Sequence, residues 1–288
     1  MKRIETVEEM TRITRHLQRS GKTVGLVPTM GFLHEGHLAL AAAARSENDV
    51  VIMSLFVNPA QFGPGEDYES YPRDLERDAA LAEGAGVDYL FHPAAEDMYP
   101  QDGGIRILPG PQADVLCGAS RPGHFDGVLK VICKLFNLTQ PDRAYFGEKD
   151  AQQLAIIETF VRDFNFPIEI RRVPIVRDED GLAKSSRNVR LTNEQREAAP
   201  AIRRALEDGE TAFRETGNPE AALSAVRRQL SKIPGAETDY AELLEYPSLA
   251  AAGEKTEEVI IAAAVRFGGV RLIDNVLIPV KEAAACSK

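Results

Sequence analysis

TVGLVPTMGFLHEGHL, residues 23–38, runs from a strand through a turn into a helix. The β-branched run Thr23, Val24 and Val27 reads as a buried parallel strand; it stops at Pro28, passes Gly31 and opens into a helix beginning near His34. His34 and His37 then fall on the first helical turn with Gly36 between them. That turn carries unpaired backbone N–H groups and the positive end of the helix dipole, so it attracts anions before any side chain is counted. Imidazoles add donors for phosphate oxygens, and Gly36 puts no side chain between backbone and ligand. A single histidine is most often a packing or surface residue. Two at this spacing, on a strand–turn–helix, read as a nucleotide site. The zincin pattern needs His-Glu-x-x-His, whereas this chain has His34-Glu35-Gly36-His37 and no cysteine or histidine cluster to complete a metal site.

Composition sets the outer bounds. A chain of 288 residues, 44% hydrophobic and 27% charged, is long enough for a substantial core and two domains. A net charge of −10 argues against a nucleic-acid surface, which needs a basic face. Cys117, Cys133 and Cys286 form neither a CxxC nor a paired framework and fit a reducing compartment. MKRIETVEEM lacks the apolar core of a signal peptide, and no apolar run reaches membrane-spanning length. A cytoplasmic protein with no membrane partner is expected.

Residues 5–20 read as an amphipathic helix with Met10, Ile13 and Leu17 near helical spacing, closed by Gly21. Gly21-Lys22-Thr23 resembles the end of a Walker A loop but fails: His16 stands where the motif needs glycine, and the triplet precedes a strand. DVVIMSLFVNP (49–59) predicts a second buried strand, residues 73–84 a helix, and 87–91 a third strand. GGIRILPGP (103–111) reads as an edge excursion suited to a subunit interface. GVLKVICKLFNL (127–138) sets Val128, Val131, Ile132, Leu135 and Phe136 on one helical stripe. Asp150 can cap a helix to about 163, and 168–176 is a further strand. Alternating strands and helices over 23–176 predict a doubly wound parallel sheet. Beyond it, Thr192-x-x-Gln195 is a capping box, Pro200 predicts a kink, a helix covers about 219–231, and runs near 240, 258 and 270–280 predict a small antiparallel sheet. The domains expected are 1–177 and a smaller α+β lid, 178–288.

Ligands of an open parallel sheet bind beyond the carboxyl ends of its strands. Four polar stretches fall there: PTMGFLHEGH, FVNPAQF, YFGEKDAQQL and VRDEDGLAKSSRN. Gly147 permits close backbone approach and Lys149 is a point charge suited to a phosphate. Lys184, Ser185, Ser186 and Arg187 offer two hydroxyls and two cations for a triphosphate. Asn58, Gln61, Gln152 and Gln153 offer neutral donors and acceptors that read hydroxyl and carboxylate groups.

PTMGFLHEGH, FVNPAQFGPGEDYESYPRD, RPGHFDGV, FGEKDAQQL and GLAKSSRN, in that order, resemble the pantoate–β-alanine ligase family of the nucleotidylyltransferase superfamily, over nearly the whole chain. The resemblance implies a Rossmann-like domain, ATP as substrate with Mg2+, a homodimer, and condensation of (R)-pantoate with β-alanine through pantoyl adenylate, releasing AMP and pyrophosphate. It implies catalytic roles for His37 (the proton donor), His34 and Lys149. ATP would be held by Met30, Gly31, His34, Gly36, His37, Gly147, Glu148, Lys149, Asp150, Val176, Lys184, Ser185, Ser186 and Arg187. Pantoate would fall to Gln61 and Gln153, and β-alanine to Gln61. The resemblance names no metal ligand. Lys184 departs from the family, which usually has methionine there; its ammonium either meets the triphosphate or faces solvent. Two other readings are an enzyme that leaves AMP on a phosphate-bearing product and a non-catalytic ATP sensor. The paired glutamines favour a small hydroxy-carboxylate over the first, and His34, His37, Lys149 and Arg187 together disfavour the second.

Overall fold

The structure, a computed structural model, describes residues 1–100 and 104–280; Gly103 and Cys286 lie outside the described residues. In chain order the first half comprises β1 (Lys2–Ile4), α1 (Val7–Arg19), β2 (Val24–Thr29), α2 (Glu35–Glu47), β3 (Val50–Leu55), α3 (Leu75–Gly84), β4 (Tyr89–Phe91) and α4 (Ala95–Met98). Then follow α5 (Leu116–Ser120), α6 (His124–Thr139), β5 (Arg143–Gly147), α7 (Ala151–Asp163) and β6 (Glu169–Val173). The last part holds α8 (Asn193–Ala198), α9 (Ala201–Thr216), α10 (Pro219–Leu230), β7 (Glu237–Glu245), β8 (Glu258–Phe267) and β9 (Val270–Pro279).

Contacts divide the chain into two units. The first contains Met1–Gly110, Arg121–Glu148 and Ile156–Pro174; the second contains Pro111–Ser120, Lys149–Ala155 and Ile175–Lys288. In the first, six strands pair in the order β1-β4-β3-β2-β5-β6, every pair parallel. All six residues of β3 are buried, which is why VVIMSL reads as an unbroken apolar run rather than an alternating one. Val27, Met53 and Leu90 pack with Leu40, Ala41 and Ala44 of α2 and Ala79 and Ala82 of α3. Each large side chain so buried stabilises the fold by about 1.5–3 kcal/mol. In α1 the inward residues are Met10, Thr14 and Leu17. Thr14 turns in because its hydroxyl donates to the Leu138 carbonyl at 2.7 Å.

The second unit is an antiparallel sheet, β7-β8-β9, with α9 and α10 on one face. Ile202, Leu206, Phe213 and Val226 meet Val259, Ile261, Val265 and Phe267 there. Ile260 and Ala262 point the other way, onto Leu116, Ala151 and Tyr246. Both faces of β8 are therefore covered, and residues 111–120 and 149–155 serve this unit's core. The capping box at Thr192 forms, with Gln195 N–H donating to Thr192 Oγ1 at 3.3 Å. Pro200 separates α8 from α9 instead of bending one helix, since it cannot donate to the ladder. β4 and β6 are shorter than the runs 87–91 and 168–176, and β1 has no counterpart among the sequence expectations.

Candidate active site

In the first unit the chain leaves β2 toward β3 and β4 on one side, then returns to place β5 and β6 on the other. The order reverses between β2 and β5, where an open parallel sheet has its crevice beyond the strand ends. Met30 and Gly31 follow β2, Asn58 and Gln61 follow β3, and Gly147 ends β5. A Cβ at Gly147 would meet no atom within 4 Å, so the backbone there lies open to a ligand.

The turn after β2 is held from below. Gly31 has φ +88° and Phe32 φ +50°, the latter an unfavourable conformation for a side chain with a Cβ. Asp78 of α3 compensates, accepting the N–H of Phe32 at 2.6 Å and of Leu33 at 2.7 Å. Burial pushes its carboxyl up, with the two N–H donors pulling against that shift. A Cβ on Gly31 would lie 3.1 Å from Asp78 Oδ2. His34 emerges as the N-cap of α2, and its Nδ1 accepts from the Gly36 N–H at 3.1 Å. His37 Nδ1 accepts from the His34 N–H at 3.3 Å, and the ring centroids are 4.0 Å apart. An accepting Nδ1 is unprotonated, so each neutral ring carries its proton on Nε2. The histidines form a capping box whose outer nitrogens are donors.

Gln61 is only 8% exposed. Its Oε1 accepts from Asn58 Nδ2 at 3.0 Å, and its Nε2 lies 3.1 Å from Met30 Sδ. The two turns of this unit thus meet at Met30 and Gln61. Asn58, 1% exposed, also accepts from Tyr99 OH at 2.8 Å and donates to the Gly127 carbonyl at 3.0 Å. It orients Gln61.

In the second unit Lys149 and Ser185 line one small cavity with Leu182, Ala183 and Asp274. Lys149 Nζ is 3.7 Å from Asp150 Oδ2, and the Lys149 carbonyl accepts from Asn275 Nδ2 at 3.0 Å. Asp150 lies in a 3-10 turn, Glu148–Asp150, that runs into α7. Residues 176–184 form a tight hairpin: Lys184 N–H donates to the Val176 carbonyl at 2.9 Å. Arg177 closes it by donating two hydrogen bonds to the buried Asp274 carboxylate, at 2.6 and 2.9 Å. Ser185 caps the 3-10 turn Ser186–Arg190, accepting from the Arg187 N–H at 3.3 Å. Lys184 Nζ lies 2.5 Å from Asp178 Oδ1, an ion pair within the hairpin. Gln153 is half-buried. The Gln152 amide is engaged within the protein: its Oε1 accepts from Cys117 N–H and its Nε2 donates to the Gln112 and Val115 carbonyls. Among the described residues no group of three or more His, Cys, Asp or Glu is placed to hold a metal ion.

Sequence reasoning missed Asp78, Arg121, His124, Asp274 and Asn275. Arg121 and His124 fall within RPGHFDGV, quoted above without a role, and Asp78 left a trace of its own. It sits on the stripe formed by Leu75, Ala79 and Ala82, where a carboxylate must find donors.

Comparison with known proteins places the chain in a family. The family model of pantoate–β-alanine ligase matches residues 2–277. The pantothenate synthetase of Lysinibacillus sphaericus (strain C3-41) is 59% identical over 98% of this chain and 99% of its own. The crystal structure of pantothenate synthetase from Thermus thermophilus is 47% identical, with a TM-score of 0.90 over 96% of this chain and 99% of that one. That of the Francisella tularensis pantoate–β-alanine ligase, complexed with β-γ ATP and β-alanine, is 37% identical, with a TM-score of 0.79 over 96% of this chain and 97% of that one. The chain belongs to the pantoate–β-alanine ligase family.

Proposed function

We propose that this enzyme performs ATP-dependent pantoate–β-alanine ligation in two steps. A carboxylate is a poor electrophile toward an amine, so it must first be activated. The pantoate carboxylate attacks the α-phosphorus of ATP in line, forming pantoyl adenylate and expelling pyrophosphate. The β-alanine amine then attacks the activated carbonyl, forming the amide and releasing AMP. No protein nucleophile is needed; positioning and charge stabilisation supply the rate.

His37 donates a hydrogen bond from Nε2 to the phosphates and stabilises the charge that grows as pyrophosphate departs, with His34 beside it. Lys149, Ser185, Ser186 and Arg187 hold the triphosphate, joined by the backbone at Gly36, Glu148, Asp150 and Lys184. Met30, Gly31 and Val176 line the adenosine, and the open backbone at Gly147 reads it. Gln61 and Gln153 clamp pantoate, and Gln61 orients β-alanine. The observation that carries this reading is the histidine capping box: it fixes two Nε2 donors at the positive end of α2. Mg2+ enters with the nucleotide as MgATP. Residues 178–288 act as a lid that shields the adenylate from water, and the enzyme works as a cytoplasmic homodimer. No described helix is long and apolar enough to cross a membrane.

Mixing ATP, pantoate and β-alanine and omitting each in turn tests this. Pyrophosphate exchange into ATP should need pantoate and persist without β-alanine. Exchange that requires β-alanine would contradict a separate adenylation step.

A further inference from the structure

RPGHFDGV, residues 121–128, has no part in the mechanism above, yet it builds a chain of hydrogen bonds ending on the backbone of Gln61. Arg121 donates to both oxygens of Glu66, Nε at 2.7 Å and a terminal nitrogen at 2.5 Å. Its other terminal nitrogen is 3.0 Å from His124 Nε2, and His124 Nδ1 is 2.7 Å from the Gln61 carbonyl oxygen. The directions are forced. A guanidinium only donates and a carbonyl only accepts, so His124 accepts at Nε2 and donates from Nδ1.

Arg121 also approaches the same carbonyl directly, at 3.4 Å. Gly127 completes the clamp: a Cβ there would lie 2.0 Å from the Ala60 carbonyl oxygen, so α6 presses against the 59–61 turn as no other residue would allow. The Arg121 and Glu66 side chains are 17% and 23% exposed. A turn carbonyl at the surface can be satisfied by water without any side chain. Burying an ion pair to order one costs desolvation, and the arrangement makes sense where the direction of that peptide matters.

We propose that Arg121 and His124 are positioning residues for Gln61: they fix its carbonyl, and with it the aim of its side-chain amide toward pantoate. The inference rests on the assignment of Gln61 to pantoate made above. His124→Ala removes the donor, whereas His124→Asn keeps an amide N–H where Nδ1 stands. His124→Ala should raise the pantoate KM about five- to tenfold, the loss expected for one net hydrogen bond, with the ATP KM within about twofold. His124→Asn should recover most of that loss, and Arg121→Gln should follow His124→Ala, so the test does not hang on one variant's folding. Gln61→Ala serves as the control and should raise the pantoate KM at least as far.

An unchanged pantoate KM in His124→Ala and Arg121→Gln, beside a raised one in Gln61→Ala, overturns the clamp alone. A normal pantoate KM in Gln61→Ala overturns the assignment beneath it, and the clamp with it. ATP and pantoate KM rising together with a lowered unfolding midpoint, not restored by His124→Asn, overturns it in favour of a purely structural role.

Discussion

Replacing Asp78 by Asn exposes how the histidine turn is held. The carboxylate accepts two backbone N–H groups, at 2.6 and 2.7 Å, from a side chain 3% exposed. Asn keeps one acceptor and turns an NH2 toward the other N–H, so one charge-assisted bond is lost and two donors face each other. Such a bond contributes about 1.5–3 kcal/mol. Burial already disfavours the ionised carboxylate, and Asn relieves that cost, which brings the net destabilisation to about 2 kcal/mol. For a unit of this size that lowers the thermal midpoint by about 4–8 °C. Phe32, released from φ +50°, should relax, and His34 and His37 move with it. A displacement near 1 Å costs about a hundredfold in rate, so single-turnover formation of pantoyl adenylate should slow on that scale. A thermal melt and a quenched-flow assay, run on the same preparation, give both numbers. A wild-type midpoint with a wild-type adenylation rate would refute the reasoning.

His37→Ala should lower the adenylation rate by about two to three powers of ten, the scale of one transition-state donor, measured in a single turnover. Gln153→Ala should raise the pantoate KM and leave the ATP KM nearly unchanged; equal steady-state constants for pantoate would remove it from that site. Lys184→Met should leave the ATP KM within about twofold and lower the melting midpoint by only a few degrees, because Lys184 is matched by Asp178 in a partly exposed pair. A tenfold weaker ATP KM would show that the ammonium reaches the triphosphate. Burial pushes the Glu66 carboxyl up, but Arg121 outweighs it and holds the group below the usual range. The pair therefore stabilises the fold above the unfolded-state value of about 4.3 and loses that contribution as pH falls below it. Denaturant titrations of Glu66→Gln against wild type should show a gap at pH 7 that closes on acidification.

The parallel sheet was legible because β2 and β3 are buried on both faces and leave apolar runs; β2 carries on through Pro28 to Thr29 rather than stopping there, and β3 ends before Asn58-Pro59. β1 was not, since three residues at a sheet edge, two of them charged, carry no periodicity. Residues 111–120 and 149–155 pack with the C-terminal sheet through contacts far apart in sequence, and composition does not change at those points. The histidine turn could be read because strand–turn–helix geometry is local. The groups that brace it could not. Asp78 lies 46 residues from Phe32 and His124 lies 63 from Gln61, so a carboxylate on an apolar stripe or a histidine in RPGHFDGV could be noticed but not the group it holds. The neutral polar side chains were the hardest to sort: Gln61 and Gln152 look alike in sequence, yet one is oriented by Asn58 beside Met30 and the other ties down the 112–117 loop.

Attack by a carboxylate oxygen on the α-phosphorus leaves that oxygen bridging acyl group and phosphate, and amide formation then cleaves the acyl–oxygen bond. Pantoate labelled with 18O in both carboxyl oxygens, turned over with ATP and β-alanine, should therefore give AMP carrying one 18O and pantothenate retaining one. AMP free of label would contradict adenylation of the acid.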